Sequence, residues 1–131
     1  MTTKLLPSAV IFAKDVPRLA TFYVSLLEMT EVHADAGHVV LGTEAFQLVI
    51  HAIPATIAAG IKISVPPEVR EETPIKLCLP VTSLAAARQQ ARALGGGMGP
   101  PAREWAARNF RACDGFDPEG NVFQAREWAA G

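Results

Sequence analysis

The sequence predicts an α+β fold built from two βαβββ modules, because one local plan occurs twice along the chain. Residues 8–27 show an apolar strand pattern, a capping residue and an amphipathic helix pattern, and residues 76–94 repeat that order. Asp15 and Ser83 occupy equivalent capping positions in the two copies. A repeat of this size indicates a pseudo-symmetric arrangement. The predicted single domain therefore divides into module 1 (about 1–53), a connector (about 54–73) and module 2 (about 74–131).

The first module shows one helix pattern and four strand patterns. Residues 9–14 form an apolar strand pattern, and Asp15 and Pro17 then mark a helix start. An aspartate caps the free N–H groups of a first turn, and proline is tolerated there. The helix carries apolar residues at spacings of three and four, so one face must pack on a sheet. Further strands are expected at residues 31–34, 38–41 and 46–51, separated by turns at 35–37 and 42–44.

The second module is expected to repeat this order. A strand pattern covers residues 75–81, and a helix begins after Ser83 and continues to residue 94. The three glycines at 95–97 end that helix, because glycine is the usual residue just beyond a helix C-terminus. The connector contains three prolines and is expected to hold at most one short strand, near residues 61–65.

The last part of the chain is predicted to form a β-hairpin. Strands are expected at residues 109–112 and 122–126, on either side of the sequence Asp-Pro-Glu-Gly at 117–120. Pro118 favours a turn, and Gly120 can take a positive φ there. We assign no strand or helix to the segment around Trp105.

Composition limits the classes of function. The 131 residues are half hydrophobic and carry a formal net charge of -1, which provides no general attraction to nucleic acid or to anionic membranes. No apolar run approaches the roughly 20 residues that span a bilayer, and the N-terminus lacks a signal-like stretch. We therefore expect a cytoplasmic protein with no nucleic-acid or membrane partner, in which Cys78 and Cys113 are buried, reduced thiols.

The repeated plan and two short motifs resemble the vicinal oxygen chelate superfamily. The motifs are Asp15 followed seven residues later by Phe22 and Tyr23, and the sequence Asp-Pro-Glu-Gly-Asn at 117–121. This superfamily includes glyoxalase I, fosfomycin-resistance transferases, extradiol dioxygenases and bleomycin-resistance proteins. The resemblance implies that the two modules form a half-barrel cleft for a small-molecule ligand, with the helices outside, and that two chains form a homodimer.

In the metal-dependent members, four cleft-facing strand positions carry the metal ligands. By resemblance, these positions correspond here to Ser8, Val49 (or Gln47), Lys76 and Gln124. A divalent metal site needs imidazole, carboxylate or thiolate donors. Serine and glutamine bring no charge, and an ammonium group repels a cation. The sequence therefore predicts no metal and no cofactor in the cleft, and we assign no catalytic residue.

The three histidines leave another metal arrangement open. His33 and His38 flank a predicted turn, and His51 ends its strand on the same face as Val49. A metal held by His51 and one of the other two would need a third donor, which the sequence does not identify. The alternative is that all three are solvated or hydrogen-bonded side chains.

Strand alternation predicts which side chains enter the cleft. An apolar lining with a few polar groups suits an organic small molecule. Lys76 could contact a ligand carboxylate, act as a base, or pair with Glu31 or Glu44. Trp105 is similar in context to a tryptophan of bleomycin-resistance proteins, and could stack on a ligand or anchor a dimer interface. The predicted ligand-binding residues are Phe12, Gln47, Val49, His51, Lys76, Trp105, Phe110, Gln124 and Arg126.

Three classes of function follow from these patterns. The sequence favours a metal-independent protein that binds an apolar, aromatic or antibiotic-like small molecule. The second hypothesis is a lyase, isomerase or dioxygenase of the same superfamily with a displaced or absent metal. The third is a dimerising structural or regulatory module whose own side chains fill the cleft. Whether the protein is an enzyme is left open by the sequence.

Overall fold

The computed structural model describes residues 5–129, which form two separate β-sheets with helices packed against them. Neither sheet closes into a barrel. No helix in the described range is long and apolar enough to cross a membrane. The elements are β1 (Ser8–Ala13), α1 (Val16–Leu27), β2 (Thr30–Ala34), β3 (His38–Gly42), β4 (Gln47–Ala52), α2 (Ala55–Ala58), β5 (Leu77–Val81), α3 (Leu84–Ala93), β6 (Gly97–Met98), β7 (Trp105–Ala107), β8 (Phe110–Phe116) and β9 (Val122–Trp128).

The two sheets have the same strand arrangement. The first has the order β1-β4-β3-β2, and the second has the order β5-β9-β8-β6, with the short β7 also paired to β8. Strand β1 runs parallel to β4 in the first sheet, and β5 runs parallel to β9 in the second. All the other strand pairs are antiparallel. The predicted α+β class with repeated βαβββ order is therefore confirmed.

Helix α1 begins and packs as its sequence predicts. The carboxylate of Asp15 accepts a hydrogen bond from the Arg18 N–H at 3.1 Å, which caps the first turn. Phe22 and Tyr23 lie on the buried face of the helix, with ring centroids 5.2 Å apart and nearly perpendicular. Both rings also meet Phe123 of β9, at 5.9 and 6.1 Å. This aromatic cluster joins the helix of the first repeat to the second sheet.

The turn at residues 117–121 is held by a buried carboxylate. Asp117 is fully buried and accepts hydrogen bonds from the Tyr23 hydroxyl at 2.8 Å and from the Glu119 N–H at 2.8 Å. The Asn121 side chain donates to the same carboxylate at 2.9 and 3.1 Å. Burial raises the pKa of Asp117, and burial together with the nearby Asp117 charge raises the pKa of Tyr23. The two motifs that carry the family resemblance thus contact each other directly.

Glu119 connects this turn to the start of α1. Its carboxylate is nearly buried and accepts hydrogen bonds from two successive backbone N–H groups, those of Lys14 at 2.8 Å and Asp15 at 2.7 Å. These donors lie where β1 ends and α1 begins, so one side chain of the second repeat satisfies the strand-to-helix turn of the first.

The connector differs from the sequence-based expectation. The structure has no strand near residues 61–65, where the sequence allowed at most one short strand, and the short helix α2 was not anticipated. The Ile61 carbonyl accepts a hydrogen bond from the Lys14 ammonium instead of joining a sheet. Pro66 and Pro67 follow directly and lack the N–H groups that a strand ladder requires.

The final hairpin of β8 and β9 is longer than predicted, and Trp105 lies on a short strand that pairs with β8. Strand β8 continues to Phe116, beyond the predicted end at residue 112, and Trp105 begins the short strand β7. Asp114 and Gly115 have low strand propensity, so the continuation of β8 beyond residue 112 could not be predicted from the sequence. Their pairing with β9 overrides that local preference.

The two cysteines have different environments. Cys113 is fully buried on β8, as predicted, whereas Cys78 on β5 is exposed and the prediction of its burial is wrong. Alternation along β5 puts Leu79 into the core and turns Cys78 away from it. Both thiols are free.

Candidate functional site

The predicted ligand-binding residues lie on the faces of the two sheets that turn away from the core. Alternation places Leu48 and Ile50 of β4 in the core and the intervening Val49 on the opposite face. We call these outward surfaces the open face of the first sheet and the open face of the second sheet. The first carries residues of β1, β3 and β4. The second carries residues of β5, β7, β8 and β9, together with Lys76 directly before β5.

The open face of the first sheet is mainly apolar and aromatic. Val10 is paired with Val49, and Phe12 with His51, across the parallel strands β1 and β4. Phe12 is 61% exposed, and its ring centroid lies 5.7 Å from that of His51. The structure therefore brings four of the predicted residues together on this face: Phe12, Gln47, Val49 and His51.

The open face of the second sheet carries a chain of polar contacts. The Lys76 ammonium donates to Asp114 at 2.8 Å, and the Gln124 side-chain amide donates to the other oxygen of Asp114 at 3.3 Å. The Arg126 guanidinium then donates to the Gln124 side-chain oxygen at 2.8 Å. Each member has a partner of opposite polarity, so the four side chains hold one another in position.

Aromatic side chains lie beside Arg126, at one end of this series of polar contacts. The Arg126 guanidinium lies over the Phe110 ring at 4.4 Å, and Arg108 approaches the same ring at 5.6 Å. Trp105 is 43% exposed, and its ring centroid lies 5.9 Å from that of Phe110 in an edge-to-face arrangement. The surface therefore combines exposed π-systems with guanidinium groups, which suits planar molecules.

The structure corrects the predicted partner of Lys76 and adds Asp114 to the face. Lys76 pairs with Asp114, not with Glu31 or Glu44 as considered from the sequence. Asp114 stands opposite Gln124 in the antiparallel register of β8 and β9. Asp114 was not among the predicted site residues, because the predicted strand stopped at residue 112. Extending the alternation by two residues would have placed Asp114 on the same face.

The positions that correspond to the superfamily's metal ligands do not suit a divalent cation. The Ser8 hydroxyl donates to the Leu6 carbonyl at 3.0 Å. Lys76 forms an ion pair with Asp114, and Gln124 is engaged by Asp114 and Arg126. The Lys76 ammonium stands at one of these positions, and the Arg126 guanidinium contacts the side chain at another. Ser8 and Gln124 bring no charge, and the neighbouring Asp114 carboxylate is already paired with Lys76. These residues do not fit a metal of the superfamily type.

Two cavities adjoin these faces. One, of about 590 Å³, lies where β1, the connector and the start of β9 meet, and Val10, Phe12, Ile75 and Val122 are among its lining residues. The other, of about 460 Å³, lies between the end of α1, the β3–β4 turn and β5. Its lining includes Leu27, Met29 and Phe46, with Lys76 and Cys78. A mainly apolar cavity with one cationic group is suited to a small organic molecule.

An ion pair under the open face positions Trp105. The Arg88 guanidinium of α3 donates to Glu104 at 2.6 Å and to the Gly99 carbonyl at 2.7 Å. Both ion-pair side chains are largely shielded from water, with 19% and 14% exposed. The hydrogen bond from Arg88 lowers the pKa of Glu104, against the opposing effect of desolvation. Because Glu104 directly precedes Trp105, this pair anchors β7 to α3.

Replacing Glu104 with glutamine should reduce the dependence of stability on pH. A carboxylate whose pKa is lower in the folded state stabilises the fold above its unfolded pKa, and that contribution is lost as pH falls through the folded pKa. We expect Glu104→Gln to lower the free energy of unfolding at pH 7 by about 1–2 kcal/mol and to lose less stability on acidification. Urea unfolding at several pH values between about 7 and 3 measures this. The exposed Glu44→Gln is the control, and parallel profiles for wild type and Glu104→Gln would contradict the assignment.

Several solved structures share this fold. A glyoxalase/bleomycin resistance protein/dioxygenase family enzyme from Burkholderia phytofirmans PsJN has a TM-score of 0.66 and 18% identity, covering 92% of this chain and 96% of its own. A glyoxalase/bleomycin resistance protein from Albidiferax ferrireducens T118 has a TM-score of 0.65 and 18% identity, covering 93% and 97%. A point mutant of the fosfomycin resistance protein FosX from Listeria monocytogenes, complexed with Mn(II) and 1S,2S-dihydroxypropylphosphonic acid, has a TM-score of 0.62 and 15% identity, covering 100% and 93%.

Sequence comparison identifies the family. No curated protein matches this chain at significant similarity. The sequence model of the glyoxalase-like domain matches residues 8–125, which begin with β1 and extend into β9 and so take in both sheets. The chain therefore belongs to the glyoxalase-like domain family and, with it, to the vicinal oxygen chelate superfamily.

Proposed function

We propose that this protein binds a small aromatic or apolar molecule without a metal, and that the open face of the second sheet recognises it. The observation that carries the proposal is the ion pair between Lys76 and Asp114, at 2.8 Å, beside Gln124. Lys76 and Gln124 stand at two of the positions at which metal-dependent relatives hold their ion. The face therefore offers hydrogen bonds and π-surfaces to a ligand in place of a Lewis acid.

The charges of the face favour a neutral or anionic planar ligand. Two guanidinium groups, those of Arg108 and Arg126, lie against the Phe110 ring, and Trp105 forms the exposed edge of the same cluster. A planar ring can stack on Trp105 while a polar substituent meets a guanidinium. Strongly cationic drugs would be repelled by these groups, so we place aromatic anions and uncharged heterocycles first.

Replacing Trp105 with alanine tests this site. We expect apo protein, treated with chelator, to bind the planar aromatic anion 1-anilinonaphthalene-8-sulfonate, and Trp105→Ala to weaken that binding about threefold to tenfold through loss of stacking. Fluorescence titration measures both affinities. The control is Ile57→Ala, which removes an exposed apolar side chain on α2, an element that contributes residues to neither open face. Equal affinities for wild type and Trp105→Ala would contradict the site, and binding that requires added metal would favour the enzyme hypothesis.

We further propose that the functional form is a homodimer in the cytoplasm. Large apolar side chains are exposed on both open faces, including Phe12 at 61% and Trp128 at 72%, and a second copy would bury them. Two free thiols, including the exposed Cys78, are compatible with a reducing compartment.

The dimer is tested by light scattering coupled to size-exclusion chromatography. We expect a mass of twice the 14.0 kDa of one chain, and Phe12→Asp is expected to shift the population to monomer, because it places a charge in the apolar contact. The exposed Glu31→Gln on β2 provides the control. A wild-type protein that remains monomeric at about 100 µM would contradict the proposal.

A further inference from the structure

We propose that the β2–β3 turn binds one divalent transition-metal cation through His33, Asp35 and His38. We call these three residues the hairpin site. One donor atom from each lies within 4.8 Å of the other two. The hairpin site shares no residue with the superfamily's metal positions and does not rest on the function proposed above. The sequence analysis considered a metal held by His51 and one other histidine, and left the third donor unidentified. In the hairpin site the two histidines are His33 and His38, the third donor is Asp35, and His51 takes no part.

The backbone of the turn holds the carboxylate between the two imidazoles. His33 lies on β2, and His38 begins β3. Asp35 lies between them and accepts hydrogen bonds from the backbone N–H groups of Gly37 at 2.8 Å and His38 at 2.9 Å. These bonds orient the carboxylate before any ligand arrives, so little conformational entropy is lost when a cation binds.

Two of the three donor distances are close to those of a tetrahedral metal site. His33 Nε2 lies 3.2 Å from Asp35 Oδ2, and His38 Nδ1 lies 2.9 Å from Asp35 Oδ1. Metal–ligand bonds of about 2.0–2.1 Å in a tetrahedron separate neighbouring donors by roughly 3.3–3.4 Å. Each of these two pairs therefore needs to move by only a few tenths of an ångström. The two imidazoles contact different oxygens of the same carboxylate, and their own donor atoms lie within 4.8 Å of each other, so this third pair must close by at most about 1.5 Å when a cation binds.

The donor types decide the class of cation. Two neutral imidazoles and one carboxylate suit Zn²⁺, Co²⁺, Ni²⁺ or Cu²⁺, whereas Ca²⁺ and Mg²⁺ prefer oxygen ligands alone. The side chains of His33, Asp35 and His38 are 54%, 47% and 31% exposed. A cation held there by three protein ligands would therefore keep at least one coordination position open to water or to an external donor.

The surroundings of the hairpin site connect it to the open face of the first sheet. The His38 ring stacks on His51, with centroids 5.9 Å apart and planes at 26°, and His51 in turn packs on Phe12. The Nδ1 of His51 lies 2.9 Å from the Ala52 carbonyl, which orients that ring. The His51 ring therefore packs beside His38, but His51 is not one of the three donors.

Calorimetric titration of untagged, chelator-treated protein with ZnCl₂ tests the site. We expect one equivalent per chain with a dissociation constant of about 10 µM or tighter. His33→Gln and Asp35→Asn should each weaken binding at least tenfold. Asp35→Asn is the sharper variant, because the amide oxygen can still accept the two backbone hydrogen bonds of the turn. His51→Gln is the matched control and should keep the affinity within about threefold.

A second readout separates loss of ligands from loss of folding. Co²⁺ bound by the wild type should give visible ligand-field absorption, which Asp35→Asn should lose while retaining the wild-type circular dichroism spectrum. The proposal is overturned if no saturable Zn²⁺ binding occurs below about 100 µM, or if the His33→Gln and His38→Gln double variant binds as the wild type does. It is also overturned if His51→Gln abolishes binding. Binding of the aromatic probe to zinc-free protein tests the function proposed above independently of every one of these results.

Discussion

Replacing Asp117 with alanine is expected to lower the free energy of unfolding by about 3–5 kcal/mol, because the change leaves several buried donors without an acceptor. The carboxylate is fully buried and accepts from the Tyr23 hydroxyl, the Glu119 N–H and the Asn121 side chain. Tyr23 is itself buried, so its hydroxyl cannot turn to water after the truncation. Urea unfolding at neutral pH, followed by circular dichroism, measures the loss.

Two variants separate the parts of this effect. Tyr23→Phe removes one donor and leaves the carboxylate in place, so we expect a cost of about 1–2 kcal/mol. Asp117→Asn keeps the shape and one acceptor oxygen, and should fall between Tyr23→Phe and Asp117→Ala. A loss below about 1 kcal/mol for Asp117→Ala would show that the turn repacks around the missing side chain and that the network does not stabilise the fold as we infer.

Replacing Glu119 with alanine should cost about 2–4 kcal/mol, because two charge-assisted hydrogen bonds are lost and their donors are left in a partly buried turn. The donors are the N–H groups of Lys14 and Asp15, at 2.8 and 2.7 Å. The effect should concentrate at the start of α1, where these two groups lie. Hydrogen exchange measured by NMR should therefore show faster exchange of those two amides.

The control for Glu119 is a glutamine at the same position. Glu119→Gln retains one acceptor oxygen of nearly the same geometry, so we expect about half the loss of the alanine variant. Unchanged exchange at Lys14 and Asp15 in Glu119→Ala, even with a lower global stability, would contradict the direct role of this carboxylate in the strand-to-helix turn.

The two longer helices, α1 and α3, were the elements best predicted from sequence, since their signals are local. The spacing of Leu19, Phe22, Tyr23 and Leu26 sets the buried face of α1, and Asp15 caps its first turn. Ser83 caps α3 in the same way, through the Ala86 N–H at 3.1 Å. All of these contacts join residues within one or two turns of each other, so no knowledge of the tertiary fold is needed to anticipate them.

The site residues were predicted less completely, because they meet through strand pairing. Phe12, Val49 and His51 follow from alternation within strands of correctly predicted type. Asp114 was missed because the last residues of β8 have low strand propensity, so the predicted strand ended before it. Asp35 was assigned only to a turn, and its role between His33 and His38 depends on which way its carboxylate faces.

The repeated order of the main elements, the helix caps and the alternation of core and surface side chains can be predicted from the chain alone, because they follow from interactions between near neighbours. Which side chains meet across the sheets depends on how the strands pair in the folded protein. Register places Cys78, Gln124 and Asp114 side by side on three strands. Strand pairing is set by closure of the whole core, and a shift of one residue would turn every side chain to the other face. The ion pair of Lys76 with Asp114, which the proposed metal-free function requires, forms because this strand pairing brings the two side chains together.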